Sequence, residues 1–127
     1  MTASAWHDVP VLVTGGLGFI GSNLVRHLVD LGAKVSVVDL NLTDYGATPF
    51  NLVDLAGRYD CIQVSIGETQ AFEAQLKSAK IIFNLAGQTS HADSMSAPGR
   101  DLELNQIANL RFIEAIRQAN PEAKIVY

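Results

Sequence analysis

Residues 10–21 read PVLVTGGLGFIG, a short apolar run that breaks into a cluster of glycines. PVLVT, residues 10–14, lacks apolar–polar alternation, as expected of a strand covered on both faces. Ile20, Leu24 and Leu28 then recur at helical spacing, and Gly32 stands where a helix C-cap belongs. Strand, glycine turn and helix in that order place the glycines at the carboxyl end of a strand and the amino end of a helix.

The same alternation continues outward. KVSVVDL (34–40) reads as a second strand, and Thr48-Pro49 caps a short helix over 49–57. CIQVSI (61–66) is a third strand, and Phe72 with Leu76 marks a third helix. KIIFNLAG (80–87) is a fourth strand. A polar loop then leads to the longest helix, 100–119, with Leu104, Ile107, Leu110, Ile113 and Ile116 as its apolar stripe. AKIVY (123–127) is a fifth strand. Crossovers long enough to hold helices predict an α/β fold: a Rossmann-like, doubly wound parallel sheet of five strands in order 3-2-1-4-5. Ligands bind such sheets where the winding reverses, at the carboxyl ends of strands 1 and 4. Residues 1–9 are read as a loose tail and 10–127 as one domain.

Composition narrows the function classes. The 127 residues are 48% apolar and 17% charged, with a net charge of −4, which speaks against nucleic-acid and anionic-membrane partners. No run approaches a membrane span, and the N-terminus lacks the features of a signal peptide. The single cysteine, Cys61, forms no internal disulfide, fits a reducing, cytoplasmic setting, and reads as a small core residue. No metal-ligand spacing is present.

The glycines can be spaced as G-x-G-x-x-G from Gly16 or as G-x-x-G-x-x-G from Gly15, Gly18 and Gly21. Gly15 suits the tight turn off the strand. Gly18 lets the backbone approach a pyrophosphate at the helix N-terminus, where free N–H groups and the dipole favour an anion. Gly21 lets the helix pack closely. Asp39 ends the second strand, where a carboxylate can accept both ribose hydroxyls of an adenosine and would repel a 2′-phosphate. No Arg or Lys follows closely, so NAD is favoured over NADP.

TGGLGFIGSNLVRHLVDLGAKVSVVDL resembles the start of the extended short-chain dehydrogenase/reductase family, the NAD-dependent sugar-nucleotide epimerases and dehydratases. FNLAGQTSHADSMSAPGRDLELN is similar to that family's segment after the fourth strand, with Ala86, Gln88, Ser94, Pro98, Asp101 and Asn105 in matching positions. The resemblance implies that the N–H groups of Phe19 and Ile20 face the phosphates. It implies that Ser65 and Ile66 flank the adenine, with Ser65 where the family usually has Asp. Leu85, Ala86 and Gly87 would line the cofactor, and Asn105 would hold local backbone rather than substrate. His91 lies in a polar loop and is read as solvated, with no fixed counterpart in the family. Ser90 and Ser94 are explained as well by loop capping as by substrate contact.

The family's catalytic residues are a Ser or Thr after the fifth strand and a Tyr-x-x-x-Lys in the next helix. Tyr127 is not that tyrosine, and neither element occurs here, so no catalytic residue is assigned. The chain is therefore expected to be the NAD-binding part of a nucleotide-sugar epimerase or dehydratase that works by transient hydride transfer, inactive by itself. A homodimer or other self-association is implied through helix 4 or the fifth strand. The alternative is a non-enzymatic NAD-sensing or scaffold protein of the same fold.

Overall fold

A computed structural model describes residues 4–127. Five parallel strands run β1 (Pro10–Thr14), β2 (Lys34–Val38), β3 (Asp60–Ile62), β4 (Ile81–Asn84) and β5 (Lys124–Val126), ordered β3-β2-β1-β4-β5 as the crossover pattern predicts. β1 is central, pairing Val13 with Val37 on one side and with Phe83 on the other. Its successive side chains enter two different cores. Val11 and Val13 pack with Val25 and Leu28 of α1 (Phe19–Asp30), whereas Leu12 joins Phe72, Ile82, Phe112 and Ile116. This two-sided burial is why the strand shows no polar alternation.

Helix α1 stops as the glycine signal predicts. Gly32 has φ +87, and Ala33 and Gly32 donate to the carbonyls of Leu28 and Val29, which closes the last turn. The Thr48-Pro49 signal opens a 3₁₀ segment, Pro49–Leu55, whose first turn Thr48 caps by accepting from the Phe50 N–H. Thr69–Phe72 forms a further 3₁₀ turn leading into α2 (Glu73–Ser78). Phe72 and Phe112 meet with ring centroids 6.1 Å apart, tying α2 to the last helix.

Several sequence expectations are corrected. Strand 3 ends at Ile62 rather than residue 66, because its partner β2 leaves the ladder after Val38. Ser65 and Ile66 thus lie on the following loop. Cys61 is exposed, since β3 is the outermost strand. The loop at His91 is a short helix, α3 (His91–Ser96), capped by the Ser90 hydroxyl accepting from Asp93 N–H. The long helix comes in three parts: α4 (Pro98–Leu102), a wide π turn (Glu103–Ile107) and α5 (Ala108–Ala119). Its buried face is Ala108, Phe112 and Ile116, while Leu110 is 67% exposed. The π turn changes the spacing of faces, so a 3.6-residue stripe carried across it misassigns Leu110. Within residues 4–9, expected as a loose tail, Trp6 and Val9 pack on the core and Asp8 N–H donates to Gly32. Residues 1–3 of that tail lie outside the described residues.

Candidate functional site

Where β1 and β4 end side by side, the winding reverses and a cleft opens. Gly15, Gly18, Asp39, Ser65, Ile66, Leu85, Ala86 and Gly87 all line it, so most of the sequence candidates converge. Asp39 is the one charged side chain in the lining. Three candidates stand apart from the cleft wall. Phe19 and Ile20 are 84% and 69% exposed, and Gly21 is buried behind the glycine turn.

Each glycine of the 15-18-21 spacing does a different job. Gly15 has φ +69, and a Cβ there would stand 2.8 Å from the main-chain N of Ala86. That proximity holds the end of β1 against the loop after β4. Gly21 carries the contact of α1 with the turn, since its Cβ would lie 2.1 Å from the Gly15 carbonyl oxygen. Gly18 is the open one. With φ −76, its Cβ would meet only the Gly15 oxygen, at 3.4 Å. Ser22 N–H donates the first helical bond, to Gly18 at 2.9 Å. The N–H groups of Phe19 and Ile20 therefore precede the intrahelical ladder, and α1 has neither a side-chain cap nor an acidic residue in its first turn. Gly16 was missed as a packing residue: its Cβ would overlap Val37 at 2.7 Å.

Asp39 is only 6% exposed, and its orientation is fixed by two main-chain donors. Oδ2 accepts from Leu17 N–H at 3.0 Å and Oδ1 from Asn41 N–H at 2.7 Å. Asn41 adopts φ +59 to bring its N–H round. Asp-x-Asn is the sequence sign of such an Asx turn and could have been read. Ser65 is partly engaged, its Oγ accepting from Gly67 N–H at 3.2 Å.

A polar chain behind the cleft went unread in the sequence. Fully buried Thr14 donates to Asn84 Oδ1 at 2.7 Å and accepts from the N–H groups of Leu85 and Ala86. Asn84 donates to Asn109 Oδ1 at 2.8 Å, and Asn109 donates to the Asn105 carbonyl at 2.9 Å. Asn105, in the π turn, grips both main-chain groups of Gln88. Its Oδ1 accepts at 2.7 Å and its Nδ2 donates at 2.9 Å. Asn105 thus holds local backbone, as the resemblance implied. The segment Leu85–Gln88 is fixed from β1, from β4 and from the last helix at once. His91 is exposed at the start of α3. Among the described residues no cluster of His, Cys, Asp or Glu is placed to hold a metal, and no helix is long and apolar enough to cross a membrane.

Residues 11–127 match the NAD dependent epimerase/dehydratase family. The chain belongs to this family. Among epimerase/dehydratase relatives, CDP-paratose 2-epimerase of Salmonella typhi is 32% identical over 122 residues, covering 92% of this chain and 35% of the relative. A dTDP-glucose 4,6-dehydratase of Xanthomonas campestris pv. campestris (strain B100) is 35% identical over 111 residues, covering 84% of this chain and 31% of the relative. Bordetella bronchiseptica WbmF, solved in complex with NAD+ and UDP, superposes with a TM-score of 0.82 at 32% identity, covering 99% of this chain and 37% of WbmF. The chain thus spans about a third of the length of the relatives it matches.

Proposed function

We propose that the cleft is the NAD site of an enzyme that epimerises or dehydrates a nucleotide-linked sugar. The observation that carries this reading is the buried Asp39 carboxylate, held by Leu17 and Asn41 and opening on the cleft beside Gly15 and Gly18. The chain's residues fit the cofactor. Gly18 leaves room over the first turn of α1, where a Cβ would intrude, and the uncapped N–H groups of Phe19 and Ile20 suit a pyrophosphate. Asp39 accepts from the adenosine ribose hydroxyls, and Ser65 and Ile66 flank the adenine. Leu85, Ala86 and Gly87 hold the far half of the dinucleotide against backbone that Thr14 and Asn105 keep in place.

When bound, NAD supplies reversible oxidation of a sugar carbon. The proton-transfer groups of the reaction are not assigned to this chain. Its three tyrosines are Tyr45, Tyr59 and Tyr127, and four residues beyond the first two stand Pro49 and Gln63, so the 127 residues contain no Tyr-x-x-x-Lys. Binding and orienting NAD is the part we give to this chain, with a nucleotide sugar as the substrate of the reaction. Exposed Leu102 and Leu110 on the last helical layer, with Val126 on the outer strand, support self-association. Light scattering across a concentration series tests that. A monomer at all concentrations would refute it.

Calorimetry with NAD and NADP tests the cofactor. We expect NAD to bind more tightly, and Asp39→Ala to weaken NAD by about 1.5–3 kcal/mol, the range for a charge-assisted hydrogen bond. Equal or tighter binding of NADP would sink the role given to Asp39.

A further inference from the structure

Two walls of the cleft are the segment that follows β2 (39–48) and the segment that follows β4 (85–97). A hydrogen bond joins them: Tyr45 Oη donates to Asp93 Oδ2 at 2.5 Å, across 48 residues of sequence. The Gln88 side chain also bears on the Tyr45 phenol, so the hydroxyl faces two groups of the second segment. Tyr45 also lines the cleft. Both side chains are half-buried, which places the bond at the rim rather than on the floor.

The two partners differ in how firmly they are held. Asp93 sits in α3, fixed by the Ser90 cap and by Ala97 N–H donating to its carbonyl at 2.8 Å. Tyr45 ends a single 3₁₀ turn, Thr43–Tyr45, flanked by exposed Thr43, Asp44 and Gly46. Before the turn, Asn41 N–H is held by Asp39, and the chain is anchored again after it. Thr48 N–H and Asn51 Nδ2 both donate to the Leu17 carbonyl, and Asn51 also bonds the Gly46 carbonyl. Between these anchors, the Asp93 bond ties the Tyr45 side chain to α3 across the rim. The carboxylate raises the Tyr45 phenol above its ordinary value, so it remains a donor at neutral pH.

We propose that the Tyr45–Asp93 hydrogen bond is a strap across the rim of the cleft, which opens to admit a dinucleotide and slows its release. The inference rests on the dinucleotide reading above. A bond that spans the rim restrains entry and exit alike, and this separates it from a simple ligand contact. A contact made only to bound dinucleotide would change the release rate alone.

Stopped-flow fluorescence with NADH on the wild-type chain and on Tyr45→Phe tests it, since the substitution keeps the ring and removes only the hydroxyl. We expect both association and dissociation rates to rise by about tenfold, the low end for a charge-assisted hydrogen bond, with Kd changing less than either rate. Asp93→Asn, which keeps a neutral acceptor, should fall between the two. Rates within twofold of wild type in both variants overturn the strap and leave the dinucleotide site standing. A faster release with unchanged association makes Tyr45 a ligand contact and also overturns the strap. Failure of the wild-type chain to bind NADH overturns the dinucleotide reading and the strap with it.

Discussion

Replacing Gly21 by alanine puts a methyl carbon 2.1 Å from the Gly15 carbonyl oxygen and 2.8 Å from Gly16 Cα. Ordinary contact begins near 3.4 Å, so the shortfall is about 1.3 Å. Both neighbours are backbone, and neither can rotate aside. The start of α1 must therefore move away from the turn that ends β1, and the contacts of Val25 and Leu28 with Val11 and Val13 go with it. Overpacking of this kind costs about 1–3 kcal/mol, and backbone on both sides argues for the upper end. Alanine returns up to about 1 kcal/mol through helix propensity. A net loss of about 2 kcal/mol lowers the melting temperature of a domain this size by roughly 6–10 °C. Gly18→Val is the matched control. Gly18 has an ordinary negative φ, and its Cβ meets only one atom, at 3.4 Å. We expect it to melt within about 5 °C of wild type, a valine N-cap costing about 1 kcal/mol, while NADH binding disappears. Thermal unfolding by circular dichroism and NADH fluorescence read the two effects separately. A Gly21→Ala protein that melts with wild type would refute the packing argument, and a Gly18→Val protein that binds NADH normally would show that the ligand lies elsewhere.

Asn105→Ala removes the partners of both Gln88 main-chain groups, and we expect a loss of about 2 kcal/mol. Faster amide exchange at Gln88 by NMR should accompany it, and unchanged exchange would contradict the bracing role. Tyr45 and Tyr59 both have phenols raised above 10.0, the first through its hydrogen bond to Asp93 and the second through burial. A raised folded value means that the Asp93 bond stabilises fully below pH 10.0 and is lost as pH climbs through that folded value. Absorbance at 295 nm should accordingly show tyrosinate forming late, with an earlier titration in urea; identical curves would count against both assignments. Purified 127-residue protein should turn over no nucleotide sugar with NAD, and reproducible turnover would place proton-transfer groups within it.

The sequence alone determined the layer order, the strand order, the position of the cleft and half of its lining. These follow from signals that are local or nearly so. An apolar run buried on both faces, a glycine turn and an amphipathic helix are each read within a dozen residues. The crossover rule then leaves few ways to arrange them. Asp39 was legible because its place at a strand end is itself a local property. What only the tertiary structure decided is what meets across the sheet. Thr14 looks like any strand residue until β4 brings Asn84 to it, 70 positions away. Asn109 becomes part of the same chain only because a π turn at 103–107 rotates it toward Asn84, and that turn carries no glycine or proline to announce it. Ile62 ends its strand because β2 leaves the ladder, not because of its own neighbours. Tyr45 in its 3₁₀ turn and Asp93 in α3 meet only when the two walls of the cleft fold side by side. Sequence periodicity reports which face a residue turns to the core. The identity of the partner it finds there is set by how distant segments pack.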